Sequence, residues 1–197
     1  MRKILIVVDM QNDFVTGSLG SAEAQAIVPK VIQKIKDQYD MIDERPFESS
    51  IIFTLDTHGD NYLDSLEGQY LPVKHCHERT EGHELIPEII EIIDTKIHFP
   101  LAEINKRTFG YEHWKAIIDN IFQSNENFYP EDNDDFEIEL VGLCTDICVV
   151  SNALALRMFY PNVKIIVDAS CCAGVTPEKH AAALEVMKSC QIEVINE

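Results

Sequence analysis

Three short stretches place reactive side chain types directly after apolar runs. Asp9-Met10-Gln11-Asn12-Asp13-Phe14 follows Lys3–Val8, Asp56-Thr57-His58 follows Ser50–Leu55, and Cys144-Thr145-Asp146-Ile147-Cys148 follows Ile138–Leu143. A carboxylate where an apolar run ends is partly desolvated, which marks Asp9 as a candidate for chemistry; capping of the following turn is the alternative. Asp56 and His58 are two apart, so in extended geometry both project to one side, as metal ligands or an acid–base pair require. The long stretch Gly59–Gly82, without clear periodicity, adds Glu67, His75 and His77. Carboxylates and imidazoles without thiolates suit Zn²⁺, Mn²⁺ or Fe²⁺ and can leave a position open for substrate, although such residues also occur in solvated loops.

The segment Val141–Val150 is the most informative. An apolar strand ends at Leu143 and an apolar helix is expected from about Asp146 to Met158, which puts Cys148 in its first turn. The unpaired N–H groups and positive dipole end there favour a thiolate, depress a cysteine pKa and can stabilise an oxyanion. The competing reading of Cys148 is a small buried hydrophobe, and Cys76, Cys144 and Cys190 fit that reading better. Adjacent Cys171-Cys172 is expected in a turn after Val163–Val167.

These residues need a scaffold, and the chain supplies strand and helix patterns in alternation. Lys3–Val8, Ser50–Leu55, Ile138–Leu143 and Val163–Val167 read as strands, mostly apolar as strands covered on both faces are, with weaker candidates near Lys96–Phe99 and Ile192–Ile195. Between the first two, Val28, Val31, Ile32, Ile35 and Tyr39 recur at helical spacing, with Pro29 in the first turn. A second helix, Tyr111–Phe122, buries Trp114, Ile117, Ile118 and Phe122. The last opens with Thr176 as N-cap and Pro177, and turns Ala181, Leu184 and Met187 inward. The expected fold is a single three-layer α/β/α domain over residues 1–197 with a mainly parallel sheet. Ligands of such sheets bind beyond the carboxyl ends of the strands, where the reactive stretches stand. The first turn carries neither GxGxxG nor a P-loop, which excludes a dinucleotide or mononucleotide fold.

Composition narrows the partners. At 197 residues, 46% hydrophobic and 25% charged, with 8 Gly and 8 Pro, the chain matches a soluble globular protein. Its formal net charge of −18 would repel phosphate backbones and anionic lipid, so neither nucleic acid nor membrane is an expected partner. The acid, including the run Glu131–Asp135, reads as solvated surface. Asp9 interrupts the N-terminal apolar run too early for a signal peptide, and no run suits a membrane span, so a cytoplasmic location is expected. Six cysteines without a CxxC pair predict reduced thiols.

Together the motifs ILIVVDMQNDF, FTLDTH, KRTFG at 106–110, VGLCTDICV at 141–149 and DASCCAGVTPEKHAAAL at 168–184 resemble the isochorismatase-like cysteine hydrolases, nicotinamidases and pyrazinamidases most closely. The resemblance spans nearly the whole chain. It implies a catalytic triad of Asp9, Lys106 and Cys148, of which Lys106 has no signature in spacing. It also implies a cis Leu143–Cys144 peptide, with the Cys144 and Cys148 N–H groups forming an oxyanion hole. It implies a divalent metal, zinc first and iron or manganese as alternatives, held by Asp56, His58, Glu67 and His75, with His77 competing for the last place. The implied reaction converts a small amide, nicotinamide foremost, to acid and ammonia through a thioester, in a homo-oligomer. Tyr70-Leu71-Pro72 stands where some nicotinamidases carry a tryptophan, so Phe14, Leu71 and Tyr111 are the candidate ring contacts. The alternatives are a metal-free relative acting on another amide, a ureido compound or isochorismate, and a binding protein of the same fold.

Overall fold

The computed structural model describes residues 2–45, 48–96, 101–123 and 136–197, with the backbone alone at positions 101, 122 and 123. Six strands form one parallel sheet: β1 (Arg2–Val8), β2 (Ser49–Asp56), β3 (Leu101–Lys106), β4 (Phe136–Leu143), β5 (Lys164–Ala173) and β6 (Glu193–Ile195), in the order β3-β2-β1-β4-β5-β6. The helices are α1 (Asn12–Val15), α2 (Ala22–Glu44), α3 (Leu66–Tyr70), α4 (Pro87–Thr95), α5 (Trp114–Gln123), α6 (Val150–Phe159) and α7 (Pro177–Ser189). Side chains alternate across a strand, so Ile4, Ile6 and Val8 join a core with α5, α6 and α7, while Leu5 and Val7 join a second core with α2 and α4. The three-layer α/β/α expectation therefore holds, with the switch in strand order between β1 and β4 opening the crevice such sheets use for ligands. Among the described residues no helix is long and apolar enough to cross a membrane.

Several local expectations are corrected. The candidate strand Lys96–Phe99 lies, past Lys96, outside the described residues, as do the acidic run Glu131–Asp135 and the side chain of Phe122. The strand found nearby is β3, an edge strand whose Ala102, Glu103, Asn105 and Lys106 hide its period. Pro29 sits inside α2, which begins seven residues earlier behind the N-cap Ser21; its ring is on the exposed face, so the lost bond faces water. Ala181 is exposed and Ala183 takes the inward position beside Leu184 and Met187. Cys171 and Cys172 lie within β5, which continues to Ala173 through Asp168 and Ser170.

That continuation is possible because Asp168 is paired. Lys34 of α2 places Nζ 2.8 Å from Asp168 Oδ2 and 2.7 Å from Glu139 Oε1, and Lys3 Nζ lies 2.6 Å from Glu139 Oε2. Both acids are buried, so not all of the acid is solvated surface. Burial alone would raise the Asp168 carboxyl, but the Lys34 and Ser170 hydrogen bonds outweigh it and hold it below the usual range. Lys34→Met would leave two buried carboxylates short of a partner, and a loss of about 3 kcal/mol is expected near neutral pH. Because the folded state holds the Asp168 proton less tightly, its pairing contributes fully above the ordinary pKa of about 3.9 and is lost as pH falls below it. Urea midpoints of variant and parent should therefore stand furthest apart at roughly pH 7 and converge toward roughly pH 3.

Candidate active site

The reactive residues meet along the carboxyl edge of the sheet. Asp9 directly follows β1, Asp56 closes β2, Lys106 closes β3, and Cys148 sits in a π-helical turn, Thr145–Val149, between β4 and α6. Lys106 is paired in register with Asp56, and Thr57 N–H donates to Lys106 O at 2.9 Å, which fixes the end of the edge strand.

Lys106 reaches along this edge and touches all three neighbours. Its Nζ lies 2.7 Å from Asp9 Oδ2, 3.3 Å from Asp56 Oδ1 and 3.4 Å from Cys148 Sγ, with no side-chain exposure of its own. Asp9 is equally buried, and Thr54 Oγ1 donates to its Oδ1 at 2.6 Å. The Asp9 backbone is left-handed at φ 49°, a conformation found more often for Asp than for most residues and concentrated at functional sites. Gly142, across from Val8, has φ 115°, and a Cβ there would stand 2.1 Å from Val8 O. Only glycine lets β4 approach β1 this closely beside Asp9.

The electrostatics set two effects against each other at Cys148. Burial, then the Asp9 carboxylate, pushes the Cys148 thiol up despite Lys106, opposing the thiolate that the turn favours. The orphan N–H groups are opposed because the sulfur is desolvated beside an anion. Burial also raises Asp9, with Lys106 opposing, which moves that carboxylate toward the basicity that thiol deprotonation needs. The Leu143–Cys144 peptide is cis. Cys144 is half-buried beside the turn, and its carbonyl accepts from Ile147 N–H at 3.1 Å and Val149 N–H at 3.0 Å.

A second cluster adjoins the first through Asp56. Asp56, His58, Glu67 and His75 offer ligand atoms that all lie within 4.8 Å of one another. His58 Nε2 is 2.8 Å from Asp56 Oδ2 and 3.6 Å from Glu67 Oε1; His75 Nε2 is 3.5 Å and 3.7 Å from the same oxygens. Two features fit these residues to a divalent cation. Although close to Asp56, His58 Nε2 is buried without a properly directed hydrogen bond. His75 Nδ1 is 2.8 Å from Val73 O, which directs the proton there and the Nε2 lone pair into the cluster, as is usual for metal-bound histidine. Burial would raise the Asp56 carboxyl, but the two imidazoles and Lys106 outweigh it and hold it well below the usual range. His77 is excluded from the cluster: its Nε2 pairs with exposed Asp60 at 3.0 Å.

Aromatic rings brace this cluster. Tyr62 packs on His58 and His75 at 4.5 and 5.0 Å, and its hydroxyl donates to Leu71 O at 2.8 Å. Phe14 packs on His75 at 5.5 Å. Leu71 is thus tied through its carbonyl to Tyr62, which packs on this cluster, whereas Tyr111 packs on Trp114 at 5.4 Å. Residue reading missed three polar groups here. Gln11, fully buried, accepts from Asp56 N–H at 2.7 Å and donates to Asp56 O at 2.9 Å. Asp13 Oδ2 accepts from Cys76 N–H at 2.7 Å, and Asn152 binds the Cys148 carbonyl. Gln11 and Asp13 stand in the first reactive stretch and were within reach; Asn152 carried no signal beyond being polar in an apolar helix.

Comparison with known proteins follows the same lines. The family model of the isochorismatase domain matches residues 3–100 and 117–197. A curated nicotinamidase of Saccharomyces cerevisiae is 26% identical over 223 residues, covering 98% of this chain and 99% of the relative. The crystal structure of a nicotinamidase from Bacillus subtilis superposes with a TM-score of 0.79 at 23% identity over 100% of both chains. A pyrazinamidase of Pyrococcus horikoshii, solved in complex with zinc, gives 0.71 at 24% identity, again over 100% of both.

Proposed function

The chain belongs to the isochorismatase family, and from that premise we propose that it is a cysteine amidohydrolase that converts nicotinamide to nicotinate and ammonia. The observation that carries the reading is the unexposed Lys106 ammonium held 2.7 Å from Asp9 and 3.4 Å from Cys148. Three such groups are costly to bury together without a task.

Asp9 takes the Cys148 proton as Sγ attacks the amide carbon, and the Cys144 and Cys148 N–H groups hold the tetrahedral oxyanion. Asp9 returns the proton to the amide nitrogen, the C–N bond breaks, and ammonia leaves a thioester. Asp9 then deprotonates a water that attacks the thioester carbon; the C–S bond breaks and the thiol recovers its proton. Lys106 keeps Asp9 anionic and aimed at the sulfur. Asp56, His58, Glu67 and His75 would hold a divalent ion, zinc foremost, whose chemistry is to bind the pyridine nitrogen and orient the ring. Phe14, packed on His75, would contact that ring.

The test is ammonia release from nicotinamide by freshly purified protein with and without a chelator. At nicotinamide concentrations below KM, a rate that falls at least about ten-fold on chelation and returns on adding Zn²⁺, Mn²⁺ or Fe²⁺ is expected. Ammonia release indifferent to chelation would favour the metal-free relative, and none from any small amide would remove the hydrolase reading.

A further inference from the structure

We propose that Asn152 is a positioning residue for the nucleophile, tying the Cys148 turn to the chain that follows Lys106. This rests on the functional reading above. Asn152 is fully buried in α6, among Val149, Ala153 and Leu156, where a carboxamide is costly unless every bond is made. All of them are made. Its Oδ1 accepts from Tyr111 N–H at 2.9 Å and Trp114 Nε1–H at 3.0 Å; its Nδ2 donates to Cys148 O at 2.8 Å and Phe109 O at 3.2 Å. The first two partners can only donate, which fixes the amide's orientation.

The four partners divide into two groups. One is the carbonyl of the nucleophile; the other three belong to Phe109–Trp114, the segment that leaves β3 just after Lys106. β3 and β4 are separated in the sheet by β2 and β1, a span of roughly 14 Å at ordinary strand spacing. Across that span Lys106 must meet Cys148 Sγ at 3.4 Å, so a tie between the two chain segments sets the approach. Gly110 reinforces it, since a Cβ there would meet Ser151 O at 3.3 Å. A helix carbonyl bound by a side-chain amide also stabilises the π turn, where the ordinary ladder is interrupted.

The test compares Asn152→Asp, which keeps the accepting oxygen but turns an acceptor on the two carbonyls, with Asn152→Ser, which removes the bridge without charge. The readouts are kcat and KM for nicotinamide and the rate of Cys148 alkylation by iodoacetamide. In folded variants kcat and the alkylation rate are expected to fall together by at least about ten-fold, with KM within about three-fold of the parent. Should neither accumulate folded, Trp114→Phe, which withdraws one donor and keeps a ring, reads the same direction at about two- to five-fold. Alkylation and kcat within about two-fold of the parent in all folded variants, or a rise in KM alone, overturns the proposal. Parent protein that releases no ammonia from any amide defeats the functional reading instead, and the alkylation rates still decide on Asn152.

Discussion

Cys148→Ala is expected to abolish ammonia release from nicotinamide, a fall in kcat of at least about four orders of magnitude, with unfolding free energy within about 1 kcal/mol of the parent. Cys148 is the one member of the proposed triad that can be removed without stranding a buried charge. Lys106→Met would leave the Asp9 and Asp56 carboxylates facing each other in the core, at about 3–5 kcal/mol. Asp9→Asn would withdraw the nearest counter-charge of a fully buried ammonium. Inactivity in either of those variants would mix lost chemistry with lost structure. In Cys148→Ala the Asp9–Lys106 pair survives, so urea unfolding and the near-ultraviolet spectrum should be those of the parent. Turnover above about 1% of the parent would mean that no thioester lies on the path.

Much of this site was legible because it obeys strand periodicity. Asp9, Asp56 and the Cys144–Cys148 segment announce themselves as polar residues terminating apolar runs, and in a parallel sheet all such ends share one edge. Lys106 does not, because its strand, Leu101–Lys106, is an edge strand with little apolar signal; only the KRTFG resemblance singled it out. What opposes a Cys148 thiolate was hidden for a different reason. Position at a helix start can be read along the chain, but the burial that opposes it comes from the packed core, and the Asp9 carboxylate comes from a position 139 residues away in sequence. The choice between His75 and His77 was likewise hidden: two residues apart, they would share one side of an extended stretch, but Cys76 between them is left-handed at φ 45°, so His75 meets Asp56 while His77 pairs with Asp60.

Asp56 joins the two halves of the site through its two oxygens. Oδ1 faces Lys106 at 3.3 Å and Oδ2 faces His58 and His75. The proposed proton-transfer pair, Asp9 and Cys148, is thus distinct from the four candidate ligands and linked to them through the Lys106–Asp56 contact, so the proposed ring recognition and thiol activation are separable by mutation.

That separation is what His58→Ala tests. The variant keeps Asp9, Lys106 and Cys148 and leaves three of the four ligand residues, Asp56, Glu67 and His75. Loss of one imidazole ligand should weaken metal retention by at least about ten- to a hundred-fold, read as metal content after dialysis. Protons compete for the remaining imidazole: burial would lower His75, but the Asp56 carboxylate and the Val73 carbonyl outweigh it and raise it. A raised value means that metal is displaced as pH falls, beginning above the ordinary histidine midpoint of about 6.5. If the ion orients the pyridine nitrogen, KM for nicotinamide should rise by about a hundred-fold while kcat stays within about five-fold, since the thiol keeps its own base. Benzamide, the same amide without the ring nitrogen, supplies the control. The parent should prefer nicotinamide to benzamide, and His58→Ala should erase the preference by losing nicotinamide alone. Unchanged metal content with an unchanged preference would show that these four residues hold no ion that the substrate meets.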